Sequence, residues 1–396
     1  MLEVADRVGD ARPGTLRRRA RKLASPALII ELVSATAVFA SFGQDKKADL
    51  AVFLKAGHQV LMGTNPYQPN TSPLLLDGHA FVYPWLSAFL FSPLSVLPSW
   101  LAMNLFTVLG IAAVLVSARW LGVPRGLATA ALLLCAPFAR NAELGAVNAI
   151  FFFLLAAMWH WRDRTWVVAS AVTLLVGVKL FLAPVLLWVV LTRSYRCAAW
   201  TMASVATFFF VSFTAGPLTP GTYTDLLRRL SDHMGQQGMG FQTAIAHFFP
   251  GSPAQAIALG VVALGLVITL LTTGLWRPHN EAGLLGAIVL LSVVASPMVW
   301  RHYLLLVFFV VALVHPTAKA LVASAVASWF VVGTQIIPPI GLSYDQRLIA
   351  LYALMAVLFV LCLRTKSTVR GPQPRTADQA SDLRIRTAAP TSSTTA

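Results

Sequence analysis

The chain has 396 residues, 57% of them hydrophobic and only 11% charged, against roughly 25% charged in an average soluble domain. So little polar surface, with apolar runs near the about 20 residues that cross a bilayer, excludes a soluble enzyme, a nucleic-acid-binding domain and a secreted disulfide scaffold. The net charge of +15 is an orientation signal: seven basic residues fall within Arg7–Lys22, six follow Leu363, and most others stand at the ends of apolar runs, as in loops kept on the cytoplasmic side.

In chain order, residues 1–24 form a basic cytoplasmic N-terminus. The apolar run from Ala27 to Phe42 then leads into Gly43-Gln44-Asp45 with no small-residue cleavage site, so it is a retained helix rather than a signal peptide. Residues 25–364 form one all-α transmembrane domain. Its predicted spans are 26–43, 99–119, 124–139, 143–161, 165–178, 180–193, 197–215, 254–276, 281–296, 300–315, 318–337 and 345–363. The short pair across 165–193 could instead be a re-entrant hairpin. Segment 81–98 is apolar, but Pro84, Pro93 and Pro98 cut it into short pieces, since interior prolines break or kink helices. If it dips in without crossing, Arg119, Arg162, Arg193, Arg277, Lys319 and Arg364 all fall on the cytoplasmic side. That gives about twelve spans with both termini inside.

Two long external segments remain, 44–98 and 216–253, and long loops in compact proteins are usually functional or disordered. The first carries Ala51, Val52, Leu54, Ala56, Val60 and Leu61 among polar residues at helical spacing, which predicts an amphipathic helix lying on the membrane. The second holds a similar stretch from Tyr223 to Leu230, then a flexible glycine-rich piece from Gly235 to Gly240. The tail at 365–396, rich in Pro, Ser, Thr and Ala, is expected to be disordered.

Few carboxylates remain outside the cytoplasm: Asp45, Asp49, Asp77, Glu143, Asp225, Asp232 and Asp345. Asp49 opens the first amphipathic stretch, where it can take a proton from a hydroxyl nucleophile or simply cap a helix. Lys179 follows the apolar run Trp166–Val178. It is either a functional intramembrane charge or a lysine reaching for the interface. Arg301 and His302 sit in a cluster with Trp300 and Tyr303 that can hold a phosphate or form a plain aromatic belt. Glu31, inside the first span, is expected to pair with another helix. His79, His233 and His247 show no paired spacing, so no metal site is predicted. Cys135, Cys197 and Cys362 are expected to be small buried hydrophobes. There is no phosphate-binding glycine loop, dinucleotide fingerprint or Gly-x-Ser-x-Gly elbow in a suitable context. An enzyme with its polar face outside and no nucleotide pocket needs a donor already anchored in lipid, which points towards a polyprenyl-phosphate carrier.

The series Asp49…Ala56, Gly63-Thr64-Asn65-Pro66-Tyr67, Phe81-Val82-Tyr83-Pro84 and Ser92-Pro93-Leu94 resembles the opening of glycosyltransferase family 87. The likeness continues through Gly145-Ala146-Val147-Asn148, Lys179 with Pro184, and Ser296-Pro297 with Trp300 and His302. The resemblance implies a transferase of GT-C fold that uses a polyprenyl-phosphate-linked sugar and a glycolipid or lipoglycan acceptor on the outer face of the plasma membrane. It also implies mannose as the sugar, as in the actinobacterial enzymes that build phosphatidylinositol mannosides and lipomannan. By the same implication Asp49 is the general base, while His302, Arg301 and Lys179 stabilise the departing phosphate. Asn65, Tyr67, Tyr83, Asn148 and Trp300 are then assigned to the substrate pocket, with no cofactor and no nucleic acid among the partners. The chain departs from the family pattern at Trp85, Ala146 and Tyr303, where a sugar preference could be read. An arabinosyltransferase using a polyprenyl-phosphate pentose is the nearest alternative within this class. A transporter or flippase of lipid-linked saccharides would call for internal repeats, and none is apparent.

Overall fold

The computed structural model describes residues 25–42, 47–68, 72, 79–234, 238–272, 280–334 and 337–365. The basic N-terminus, Asp45, Asp77, Arg277, part of the glycine-rich piece and the tail beyond residue 365 lie outside the described residues.

Every regular element among the described residues is helical. In order they are α1 (Pro26–Phe42), α2 (Ala48–Leu61), α3 (Trp85–Ser95), α4 (Ser99–Trp120), α5 (Leu127–Leu134), α6 (Ala136–Leu144), α7 (Asn148–His160) and α8 (Thr165–Val178). There follow α9 (Val185–Thr192), α10 (Tyr195–Thr214), α11 (Pro220–Met234), α12 (Phe241–Phe248), α13 (Ala254–Leu271) and α14 (Glu281–Ala295). The last three are α15 (Leu305–Val314), α16 (Ala318–Val331) and α17 (Tyr344–Arg364), and short 3₁₀ turns at Leu180–Leu182 and Arg301–Leu304 precede α9 and α15.

Four helices, α4, α10, α13 and α17, are long and apolar enough to cross a membrane unaided, and α6 with α7 makes a broken fifth, bent by 119°. Seven further apolar helices run 10–17 residues when the 3₁₀ turns are counted with them, so among the described residues four or five spans, not twelve, have the full length. The breaks have local causes. The span expected at 124–139 is two helices, because Cys135 is extended (φ −68°, ψ 146°) and Pro137 stands in the first turn of α6, where its missing N–H costs nothing. Gly145 then ends α6 in the left-handed conformation (φ +66°), which suits a residue without a Cβ. Pro84 and Pro98 sit at the starts of α3 and α4 rather than inside them, and Pro93 is carried in the last turn of α3. At 11 residues, α3 is about 16 Å long, roughly half the hydrocarbon core.

The amphipathic helix expected on the membrane surface is α2, but its apolar face is turned to protein. Leu50, Phe53, Ala56, Gly57 and Val60 are buried, and Gly57 meets the backbone of Phe91 and Ser92 in α3, with the Ser92 hydroxyl donating to Gly57 O at 3.2 Å. The second amphipathic stretch is α11, which likewise buries Tyr223, Leu226, Leu230 and Met234. Helix-on-helix packing hides more apolar area than either face would hide at a polar headgroup boundary.

Ion pairs mark one end of the bundle. Glu31 of α1 is buried as expected and pairs with Arg119 at the end of α4, its other oxygen accepting from Gly126 N at 3.0 Å. Nearby in chain logic, Glu281 at the start of α14 pairs with Arg193 at the end of α9 and lies 3.6 Å from Arg162 after α7. Arg162 and Arg193 also rest on Trp159 and Trp188. Helices α7, α8, α9 and α14 all have their other ends at the opposite pole, where α2 begins. The cysteines are free and buried, as expected.

Candidate active site

At that opposite pole three chain breaks meet: the start of α2, the end of α8 and the 3₁₀ turn before α15. Asp49 occupies the first turn of α2, where an acidic residue is favoured by the helix dipole. Its Oδ2 lies 3.6 Å from Nε2 of His302, just beyond hydrogen-bond reach. The imidazole is buried, whereas a third of the Asp49 side chain is exposed. A carboxylate open on one side and faced by an imidazole on the other can accept a proton from a hydroxyl that approaches from the open side.

The electrostatic setting of Asp49 has opposing parts. Burial among neighbouring groups raises its pKa above the ordinary carboxylate value, and the cations of Lys179 and Arg140, with His79, pull it back down. Burial wins, so the net displacement of the Asp49 pKa is upward.

Lys179 ends α8 and is buried. Its ammonium donates to the hydroxyl of Tyr303, lies 3.9 Å from that ring's centroid and 5.5 Å from that of Tyr83. Phe181 stacks on Tyr303 at 5.3 Å. One cation is thus held between two aromatic rings, an arrangement that offsets part of its desolvation. Tyr83 in turn stacks on Phe53 at 4.6 Å, and Phe53 on Phe91 at 4.3 Å. This aromatic pile joins α2, α3 and the 81–84 segment into a wall behind Asp49.

The remaining predicted residues divide. Tyr67 spends its hydroxyl on the carbonyl of Tyr83 (2.8 Å), and the Asn65 side chain accepts from Tyr67 N (2.9 Å), so both brace the wall from behind. Trp300 is half-buried and immediately precedes the His302 turn. Arg301, in that turn, is half-buried, with the charges of Arg140, Glu143 and Arg347 in its surroundings. Asn148 begins α7 with no exposed surface, and neither side-chain amide atom has a partner among the described residues. A cleft lined by Phe106, Thr107, Gly110, Asn141 and Ile150 includes none of Asp49, His302 and Lys179. No group of three His, Cys, Asp or Glu residues among those described is placed to hold a metal ion.

Arg140 is the residue the sequence did not flag. It sits in α6, pairs with Glu143 at 2.6 Å and acts on the charge of both Asp49 and His302. Its signal was available: an arginine and a glutamate three apart, close before a glycine, inside an otherwise apolar run.

A profile of glycosyltransferase family 87 matches residues 81–297, more than half of the chain. The chain belongs to glycosyltransferase family 87. It is therefore a glycosyltransferase, and its apolar helices make it a membrane-embedded one. Tyr83, Arg140, Asn148 and Lys179 lie inside the matched region, while Asp49 and His302 flank it and join the site only through the fold. No curated protein and no solved structure matches the chain.

Proposed function

We propose that this glycosyltransferase moves mannose, with inversion, from a polyprenyl-phosphate carrier to a hydroxyl of a glycolipid or lipoglycan on the outer face of the plasma membrane, using a GT-C type fold. The observation that carries the reading is the Asp49–His302 contact beside the aromatic-held Lys179. Asp49 takes the proton of the acceptor hydroxyl as its oxygen attacks the anomeric carbon. The bond from that carbon to the phosphate oxygen breaks, and the polyprenyl phosphate leaves with the electron pair. Negative charge grows on that phosphate in the transition state, where Lys179, His302 and Arg301 offset it. Tyr83 and Trp300 shape the sugar side of the pocket. Asn65 and Tyr67 hold Tyr83, and Asn148, whose amide has no partner among the described residues, belongs to the substrate pocket.

Depth supports a donor that arrives through lipid. Helix α8 has 14 residues, so Lys179 stands about 21 Å from the arginine-rich end, short of the about 30 Å hydrocarbon thickness. A site recessed by that difference is reached more easily by a lipid-borne phosphate than by a soluble nucleotide sugar. The arginine-rich end also supports the orientation, since basic breaks favour the cytoplasm.

Membranes containing the wild type or Asp49→Asn, supplied with polyprenyl-phosphate-mannose and a glycolipid acceptor, test the reading. The wild type is expected to transfer mannose and Asp49→Asn to lose nearly all turnover while remaining folded. Undiminished transfer by the variant removes Asp49 as base, and a wild type that accepts only a pentose donor overturns mannose.

A further inference from the structure

We infer that Lys47 is a positioning residue that fixes Asp49 against His302 by clipping the start of α2 to the ends of α1 and α6. The inference rests on the reading of Asp49 as the base. Lys47 is 1% exposed, among the most deeply buried large side chains. Its ammonium donates to Phe42 O and to Ala142 O, both at 2.6 Å. Phe42 is the last residue of α1 and Ala142 lies in the last turn of α6. Both carbonyls belong to helix C-termini, where orphan acceptors and the negative end of the dipole favour a cation.

Lys47 is also the N-cap of α2, and among the described residues no side chain caps the first turn, so α2 begins where the Lys47 side chain is anchored. Two residues on, Asp49 must meet His302, which is delivered by a different part of the chain. Gly145 completes the clip. A Cβ there would stand 2.8 Å from the Cβ atoms of both Lys47 and Leu50, and its positive φ disfavours any side chain. The close approach of α6 to α2 thus requires both the lysine and the glycine. The same contact brings Arg140, one turn back in α6, into range of Asp49.

The sequence context alone makes Lys47 one of two adjacent lysines after the first span, where a solvated surface charge would be assumed. Burial and two carbonyl bonds distinguish it from that role. Catalytic geometry tolerates little error, since a displacement of about 1 Å can cost about 100-fold in rate. Loss of the clip is therefore expected to lower kcat while leaving donor binding, made by Lys179 and its neighbours, nearly intact.

The test is the steady-state kinetics of Lys47→Met and Gly145→Ala against wild type and Asp49→Asn, in membranes normalised for folded enzyme, across pH. Asp49 faces His302 and Tyr303 from the turn before α15, Lys179 from α8, Arg140 from α6, and Tyr83 and His79 from the segment before α3. The expected result for both variants is a 10- to 100-fold fall in kcat, a donor KM within about threefold of wild type, and an acid limb displaced to lower pH as water reaches the loosened carboxylate. Should Lys47→Met not accumulate, Lys47→Gln carries the same measurement with a shortened donor. A kcat within twofold of wild type, or a fall in kcat with an unmoved acid limb, overturns the positioning role. An active Asp49→Asn overturns the base assignment and the clip together, whereas an inactive Asp49→Asn beside a normal Lys47→Met overturns the clip alone.

Discussion

Gly57→Ala separates local propensity from tertiary packing at the helix that carries Asp49. Gly57 lies inside α2 with ordinary helical backbone, so helix propensity alone predicts that alanine stabilises by about 1 kcal/mol. The structure reverses the sign. A Cβ at Gly57 would sit 2.9 Å from the carbonyl carbon of Phe91 and 3.0 Å from the nitrogen of Ser92. These are backbone atoms of a packed helix and cannot rotate away, so α2 and α3 must separate by several tenths of an ångström. Separation loosens the Phe53–Phe91 stack and lengthens the bond from Ser92 to Gly57 O. Overpacking of this kind costs about 1–3 kcal/mol, and losing a buried hydrogen bond about 1 kcal/mol more. Against the propensity gain the net is a destabilisation of about 1–3 kcal/mol. Thermal unfolding in nanodiscs, followed by intrinsic tryptophan fluorescence, measures it. Gly260→Ala in α13, where a Cβ meets nothing within 4 Å, is the matched control and is expected to change stability by no more than about 1 kcal/mol. A Gly57→Ala protein as stable as wild type would refute the close packing of α2 on α3.

Further outcomes follow from the site and the ion pairs. Tyr303→Phe removes the hydroxyl that accepts from Lys179 but keeps the ring beneath it. It is expected to raise donor KM about 3- to 10-fold with a smaller change in kcat, read by initial rates at varied donor. The acid limb of the wild-type profile is expected above the ordinary aspartate value of about 3.9, because burial raises the Asp49 pKa. In the residual activity of Lys179→Met that limb should move further up, since the nearest opposing cation is gone; a shift downward would contradict the assignment of Lys179 to this charge environment. Glu281→Gln leaves Asp163, 3.5 Å away and mostly exposed, as the one carboxylate paired with Arg193 among the described residues. A loss of about 1–2 kcal/mol is expected by the same unfolding assay, below the full penalty for a buried pair because Glu281 is itself a third exposed.

Motif order in the chain and membership of glycosyltransferase family 87 agree, and the spans near 26–43, 99–119, 165–178, 197–215, 281–296 and 345–363 lie within a few residues of observed helices. Apolar runs of that length declare themselves because hydropathy is a local property. The structure adds most where a local signal had two readings. An amphipathic face at 48–61 fits a membrane surface and a partner helix equally well, and the structure supplies the partner, α3, for the side that carries Phe53 and Gly57. The run at 124–139 reads as one helix because Cys135 and Pro137 interrupt the backbone without interrupting hydrophobicity. Lys47 bears no local mark of its burial, because a charge beside an apolar run looks the same in sequence whether it faces solvent or is enclosed.

By itself, the sequence determined that this protein lives in a membrane and that carboxylates are too few to leave many candidates for a base. Composition and hydropathy carry those properties, and both survive any arrangement of the helices. Only the tertiary structure decided that Asp49 meets His302 across a sequence separation of 253, that Lys179 is held by Tyr303, and that Lys47 and Gly145 bring α2 against α6. Each depends on which helix ends converge, and that convergence is set by packing between segments distant in the chain, where van der Waals contact and buried hydrogen bonds have no local trace.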